Sequence, residues 1–233
     1  MSAILPRARR MQSALVLLVL LAGAAAGCKF FRPDTPPPPG DPPPPFDYSQ
    51  PEQTLETLRL AIEDKRSISA GNYIGVFADS TLEQIAGYHQ YFYPEDALLW
   101  AQSGRNVPED WNVRLERRFF DVGPTSLINV NPNAIYEVTF SKDPGNQDRE
   151  NFDDGEGRTT ILNRQYQVLA IDPNSNEIIE VIEVIAYGFA RLTFRQAPGG
   201  DWRIISWDDK RDLVPNPYGL PQVTWGQRRL ESQ

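Results

Sequence analysis

Nine of the thirteen residues from Pro33 to Pro45 are proline, and no other stretch constrains the chain so tightly. Proline lacks a backbone N–H and holds φ near −65°, so such a run enters neither a helix interior nor a central strand. It adopts extended polyproline II, at about 3.1 Å per residue. Globular structure has to begin after it. Residues 29 to 48 then read as a spacer that holds a domain on the order of 50 Å from the N-terminal attachment. A proline-rich ligand for a groove-binding module is the alternative.

The attachment is written just upstream. Arg7, Arg9 and Arg10 precede an apolar run from Ala14 that closes in small residues at Cys28, the only cysteine. A basic n-region, a short apolar h-region and a small-residue cleavage site are the parts of a secretory signal. The run is about 14 residues, short of the ~20 a transmembrane helix needs. Ala25-Ala26-Gly27-Cys28 resembles the bacterial lipoprotein box, whose cysteine is acylated and becomes the new N-terminus; Ala25 stands where that box prefers leucine. An ordinary signal with an incidental cysteine is the competing reading. The resemblance implies membrane attachment through acyl chains on Cys28. Lys29, in place of the aspartate that marks inner-membrane retention, points to the outer membrane, facing periplasm or surface.

The chain carries 23 basic against 31 acidic residues, and loss of the signal arginines leaves 20 against 31. That surplus repels phosphate backbones, which argues against a nucleic-acid partner. It also disfavours anionic lipid surfaces, leaving anchoring to the acyl chains. With one cysteine the domain folds without a disulfide, by burial alone. The expected organisation is a signal over 1–27, a linker over 28–48, one domain over 49–212 and a tail over 213–233.

Within that domain the hydrophobic period changes once. Ser49 with Glu52 suggests a capping box, and Leu55, Leu58 and Ile62 give a helix to about Lys65. Tyr73, Val76 and Phe77 suggest a helix over about 72–79, and Pro94 to Trp100 begins another. Trp111, Leu115, Phe119 and Val122 repeat as an amphipathic helix. After Gly123-Pro124 the period is two: Tyr136, Val138 and Phe140; Thr159 to Ile171, with Leu162, Tyr166 and Val168 on one face; Glu177 to Arg195, with Gly188 as bulge or bend; and Trp202 to Trp207. Helices followed by hairpin-linked antiparallel strands define an α+β class.

Thr54 to Lys65 with Tyr73 to Asp79 resembles the opening helix pair of the nuclear transport factor 2-like superfamily, which includes SnoaL-like and ketosteroid-isomerase-like proteins. Gly188 to Arg195 with Asp201 to Asp209 resembles its last two strands. The resemblance implies a strongly curved antiparallel sheet wrapped around the helices as a cone-shaped barrel. Tyr73, Phe77, Tyr136, Tyr166 and Trp207 are the candidates to line that cone, or to fill it.

Chemistry-bearing motifs are sparse. His89, the only histidine, alternates with Tyr91 and Tyr93 and reads as part of an aromatic wall. There is no HExxH, no paired cysteine, no Gly-x-Ser-x-Gly elbow and no phosphate-cradling glycine loop, so no metal or cofactor is expected. The acidic stretch from Asp143 to Gly157 fails the EF-hand pattern at Pro144 and Gly145 and reads as a solvated hairpin loop. Asp208 with Tyr166 is the one conceivable carboxylate–tyrosine pair, although alternation from a buried Trp207 turns Asp208 outward. Thr224 and Gln227 suggest a cap for a short terminal helix, with Trp225 pinning the tail. No catalytic residue is assigned. The expected role is a lipid-anchored envelope protein binding a small apolar ligand or another envelope protein. An isomerase- or cyclase-type enzyme is one rival, and a structural protein with a filled cone is another. A cavity of a few hundred Å³ containing a buried carboxylate marks the enzyme.

Overall fold

The structure, a computed structural model, describes residues 46–65, 69–174 and 180–233. The signal, Cys28 and the proline run lie outside the described residues, as do the first residues of the strand expected from Glu177. Among the described residues no helix is long and apolar enough to cross a membrane.

Helix α1 spans Pro51–Asp64 and buries Leu55, Leu58, Ala61 and Ile62, as its apolar period requires. Its start differs from expectation. Gln50 is the N-cap without a side-chain cap, and the Ser49 hydroxyl donates to Gln53 Oε1 at 2.7 Å, so the Ser49–Glu52 box does not form. Helix α2, Ala70–Gly75, stops short of Asp79 because the chain there leaves the helix to bridge Phe77 with Ile204. The one-turn helix α3, Ser80–Glu83, starts at Asp79, whose side chain accepts from Thr81 N–H. Strand β1 is His89–Tyr91 and helix α4 Pro94–Gln102. Helix α5, Val113–Asp121, is capped by Asn112, which leaves Trp111 ahead of it and Val122 exposed past its end. A short α6, Leu127–Val130, leads into the strands.

Strands β2 (Ile135–Lys142), β3 (Arg149–Asp153), β4 (Arg158–Ile171), β5 (Val181–Gln196) and β6 (Trp202–Lys210) follow, then helix α7, Trp225–Glu231. The sheet order is β1-β6-β5-β4-β2, with β3 also on β4. All pairings are antiparallel except β1 with β6. The sheet is open and mixed, which corrects the expected closed, strongly curved cone. Its ends do not pair, because one edge is the three-residue β1 and the other is shared by β2 and β3. β3 also replaces part of the solvated loop expected between Asp143 and Gly157.

One face of the sheet carries the helices and a continuous core that includes Leu58, Tyr73, Phe119, Tyr136, Leu192 and Trp207. β6 ends opposite Phe189, and the tail takes over the β5 edge beyond it: Tyr187 N–H donates to Val223 O at 2.8 Å, and Arg228 Nε to Ile185 O at 2.7 Å. On the far side of the sheet, Leu169, Val184 and Tyr187 pack with Leu220. At the β2 edge, Val138 N–H donates to Glu63 Oε1 of α1 at 3.1 Å, while Arg59 holds the other oxygen at 2.5 Å.

Candidate functional site

The polar centre of the domain is set by one extra residue in β6. Thr193 pairs with Ser206 but Phe194 with Ile204, so Ile205 is bulged out of register. A bulge switches the faces of the residues that follow it. Trp202 and Ile204 are buried before it, and Trp207 and Asp209 after it. Asp208 turns outward into a groove of about 350 Å³ with Tyr91, Arg191 and Ser206. The carboxylate that reaches Tyr166 is therefore Asp209, at 2.6 Å, and not Asp208.

Asp209 is fully enclosed. It accepts from the Tyr166 hydroxyl and from Gly226 N–H at 2.5 Å, while Trp225 N–H donates to the Tyr166 oxygen at 2.9 Å. Burial pushes the Asp209 carboxyl up to about 6, against the pull of Tyr166, Gly226 N–H and Arg229. Burial, with Asp209 beside it, drives the Tyr166 hydroxyl well above its ordinary value. Two glycines make room for this pair. A Cβ on Gly188 would stand 2.6 Å from Lys210 O and 2.7 Å from the Tyr166 oxygen; one on Gly226 would stand 2.8 Å from Asp209 Oδ2. Gly188 stays in register opposite Tyr166, so it serves close approach and not the bulge or bend expected from sequence.

A second buried carboxylate lies alongside. Glu116 of α5 and Arg229 of α7 are both wholly buried, with Arg229 Nε and Nη2 donating to Glu116 at 2.8 and 2.7 Å. Glu116 also accepts from Trp111 Nε1 at 2.6 Å and from the Tyr73 hydroxyl. Arg229 Nη1 donates to Gln90 Oε1 at 2.7 Å, and the Tyr88 hydroxyl donates to the same oxygen at 2.9 Å. The guanidinium lies 4.7 Å from the centre of the Trp207 ring, an orientation that a ring quadrupole favours. Burial works against the charge on Arg229, yet Glu116, Tyr88 and Tyr73 carry its pKa above the ordinary arginine value. These three partners offset the desolvation that an isolated buried charge could not bear.

The tail closes this centre. Thr224 caps α7 by accepting from Gln227 N–H at 3.0 Å and donates to Asp96 at 2.5 Å. The Gln227 side chain turns to Glu231, so only half of the expected capping box forms. Trp225 stacks on Trp207, centroids 5.9 Å apart and planes at 12°, and meets the Phe119 edge at 5.5 Å. Neither indole N–H of the stacked pair has a hydrogen-bond partner. The structure places Tyr73, Phe77, Tyr136, Tyr166 and Trp207 in the core, none more than 2% exposed. All five belong to the core on the helix-covered face, and Phe77 also borders the cleft described below.

A separate concavity lies on another part of the domain. A cleft of about 760 Å³ runs between α2, the 76–88 segment and the start of α5. Ile74, Phe77 and Val113 give it an apolar floor, and Arg114 and Arg117 stand on its rim. Its carboxylates are engaged: Asp79 caps α3, Glu83 holds Arg203 at 2.5 Å, and Asp110 faces Asn112 and His89. Arg114 and Arg117 are exposed and form no ion pair among the described residues.

His89 sits at the sheet edge, its Nδ1 3.4 Å from Asp110 and its ring 4.6 Å from Tyr91. Three carboxylates of the acidic hairpin meet arginines: Asp148 on Arg164 at 2.8 Å, and Asp154 and Glu156 on Arg195. Among the described residues no three His, Cys, Asp or Glu side chains gather as a metal site requires. Asp209, Glu116 and Arg229 were not singled out from sequence. Asp209 had a usable signal in its two-residue spacing from Trp207; Glu116 and Arg229 had none, because they meet across 113 residues.

No protein-family model matches the chain, and no curated protein sequence matches it. Solved structures similar to it include a protein of the nuclear transport factor 2-like family from Streptomyces avermitilis, with 10% identity, a TM-score of 0.43 and coverage of 70% of this chain and 94% of that one. A nuclear transport factor 2-like superfamily protein from Salmonella enterica shows 8% identity and a TM-score of 0.35, over 71% and 90% of the two chains. The beta subunit of the benzoate 1,2-dioxygenase from Burkholderia mallei shows 10% identity and a TM-score of 0.37, over 73% and 97%.

Proposed function

We propose that this chain is a lipid-anchored protein of the bacterial envelope whose nuclear transport factor 2-like domain binds an amphipathic anion, an apolar body ending in a carboxylate, in the cleft beside α5. The anchor and the outer-membrane address rest on the signal-like residues 14–27, on Cys28 and Lys29, and on the proline spacer. The domain assignment rests on the resemblance of residues 54–79 and 188–209 and on the order of helices before strands. The observation that carries the binding reading is the cleft itself. It has the volume of a small-molecule site, an apolar floor, and two guanidiniums on its rim with no carboxylate of their own. Arginine is suited to this task, since its planar fork meets a carboxylate through two parallel hydrogen bonds. Binding is favoured over isomerase-type catalysis because Asp209 and Tyr166 are buried and hydrogen-bond to the protein's own tail.

Native mass spectrometry of the full chain in detergent tests this, with dodecanoate as probe. The expected result is one retained dodecanoate on the wild type and at least tenfold weaker retention on the Arg114→Ala/Arg117→Ala variant. Equal retention by the two proteins, or none by either, defeats the cleft assignment.

A further inference from the structure

We propose that α7 is a displaceable occupant of a second binding site, and that with α7 withdrawn this site receives an aromatic cation. The socket is defined by what the helix puts into it. Trp225 supplies a flat ring against Trp207, with the Phe119 edge to one side. Arg229 supplies a positive charge to Glu116 and a donor to Gln90. The amides of Trp225 and Gly226 supply two donors to Tyr166 and Asp209. Every polar group that α7 brings to this centre is a donor, and the groups it meets are carboxylates, an amide oxygen and a phenol. With the helix gone, Glu116 and Asp209 remain beside Trp207, Tyr73, Tyr88, Trp111 and Phe119 without the charge that compensates them. Two carboxylates ringed by aromatic faces are the chemistry that holds a planar cation.

Three features make the helix a detachable part. It has seven residues, too few to be stable away from its docking site. It is joined to β6 through residues 211–224, which form no helix or strand and include Pro215, Pro217 and Pro221, with Leu213 and Val214 exposed. Its seat also leaves the Trp207 and Trp225 indole N–H groups buried without acceptors, a defect of the docked state.

The test reads opening of α7 directly. In a Cys28→Ser background a single introduced cysteine is the only thiol in the chain. Leu230→Cys places it on α7 and Leu192→Cys on central β5, both at positions with no exposure. Labelling of the folded full chain with a thiol reagent is expected to be at least tenfold faster at residue 230 than at 192. Benzamidine is expected to raise the rate at 230 to a plateau, whereas benzoate, with the same ring and the opposite charge, leaves it unchanged. Because Leu230→Cys itself loosens packing, amide exchange of the unsubstituted protein is the second readout, with residues 225–231 exchanging at least tenfold faster than β4 and β5. Equal rates in both experiments mean that α7 opens only with global unfolding and overturn the displacement. A rate at 230 indifferent to benzamidine, or raised equally by benzoate, overturns the ligand class.

Discussion

Asp209→Asn turns the buried carboxylate into a measurable quantity. In the folded protein burial lifts this carboxyl to about 6, from an ordinary value of 3.8. The folded state thus keeps its proton to higher pH than the unfolded chain does. Stability from this group is fully present below pH 3.8 and is lost as pH rises through 6. At 1.36 kcal/mol per pKa unit the loss is about 3 kcal/mol. Asparagine has nearly the same shape, retains an oxygen for Gly226 N–H and does not titrate. Urea unfolding of both proteins, followed by tryptophan fluorescence at half-unit steps from pH 4 to 7.5, gives the difference in unfolding free energy. That difference cancels groups common to both, such as Asp47, which Ser49 N–H holds below its usual range. The variant should gain about 2.5 kcal/mol on the wild type between pH 4 and 7, the part of the full loss that falls in this window. Parallel profiles, or a wild type that gains on the variant as pH rises, would refute the claim that Asp209 is buried at a net electrostatic cost.

Three further perturbations follow from the same geometry. Glu116→Gln leaves Arg229 buried against a neutral partner and should cost about 3–5 kcal/mol in chemical denaturation at pH 7, far more than a surface change. Gly188→Ala drives a methyl group toward Lys210 O and the Tyr166 hydroxyl and should cost about 1–3 kcal/mol, read as a lower thermal midpoint. The proposed anchor at Cys28 predicts that Cys28→Ala moves the protein from the membrane pellet to the soluble fraction after a carbonate wash, with no shift of the melting midpoint.

Much of the fold was legible because its periods are strong. The alternation of Leu162, Tyr166 and Val168 in β4, and the spacing of Leu55, Leu58 and Ile62 in α1, are what a half-buried strand and helix require, and both elements form where the pattern lies. Misreadings occur where a non-local contact overrides a local pattern. Trp111 and Val122 fit the α5 period yet fall outside the helix, because Asn112 caps it and the chain turns at Gly123. α2 ends early because β6 offers Val76 and Ala78 backbone partners. At the polar centre, consecutive aspartates at a strand end read as an exposed exit. Only the bulge at Ile205, together with a helix N-terminus arriving from 17 residues downstream, makes Asp209 an interior group. Nothing in the local sequence announces that Glu116 will be answered by Arg229.

The contact between Glu63 and Val138 has a consequence beyond the fold. Strand β2 ends the sheet on its side, with Ile135 exposed, and an outer strand of this kind is a ready template for a strand from another molecule. Glu63 occupies the Val138 N–H on that rim and, fixed by Arg59, sets a carboxylate across the path of an incoming backbone. An added strand would have to displace the carboxylate and strand its charge. A charge held at a sheet edge in this way opposes edge-to-edge pairing between copies.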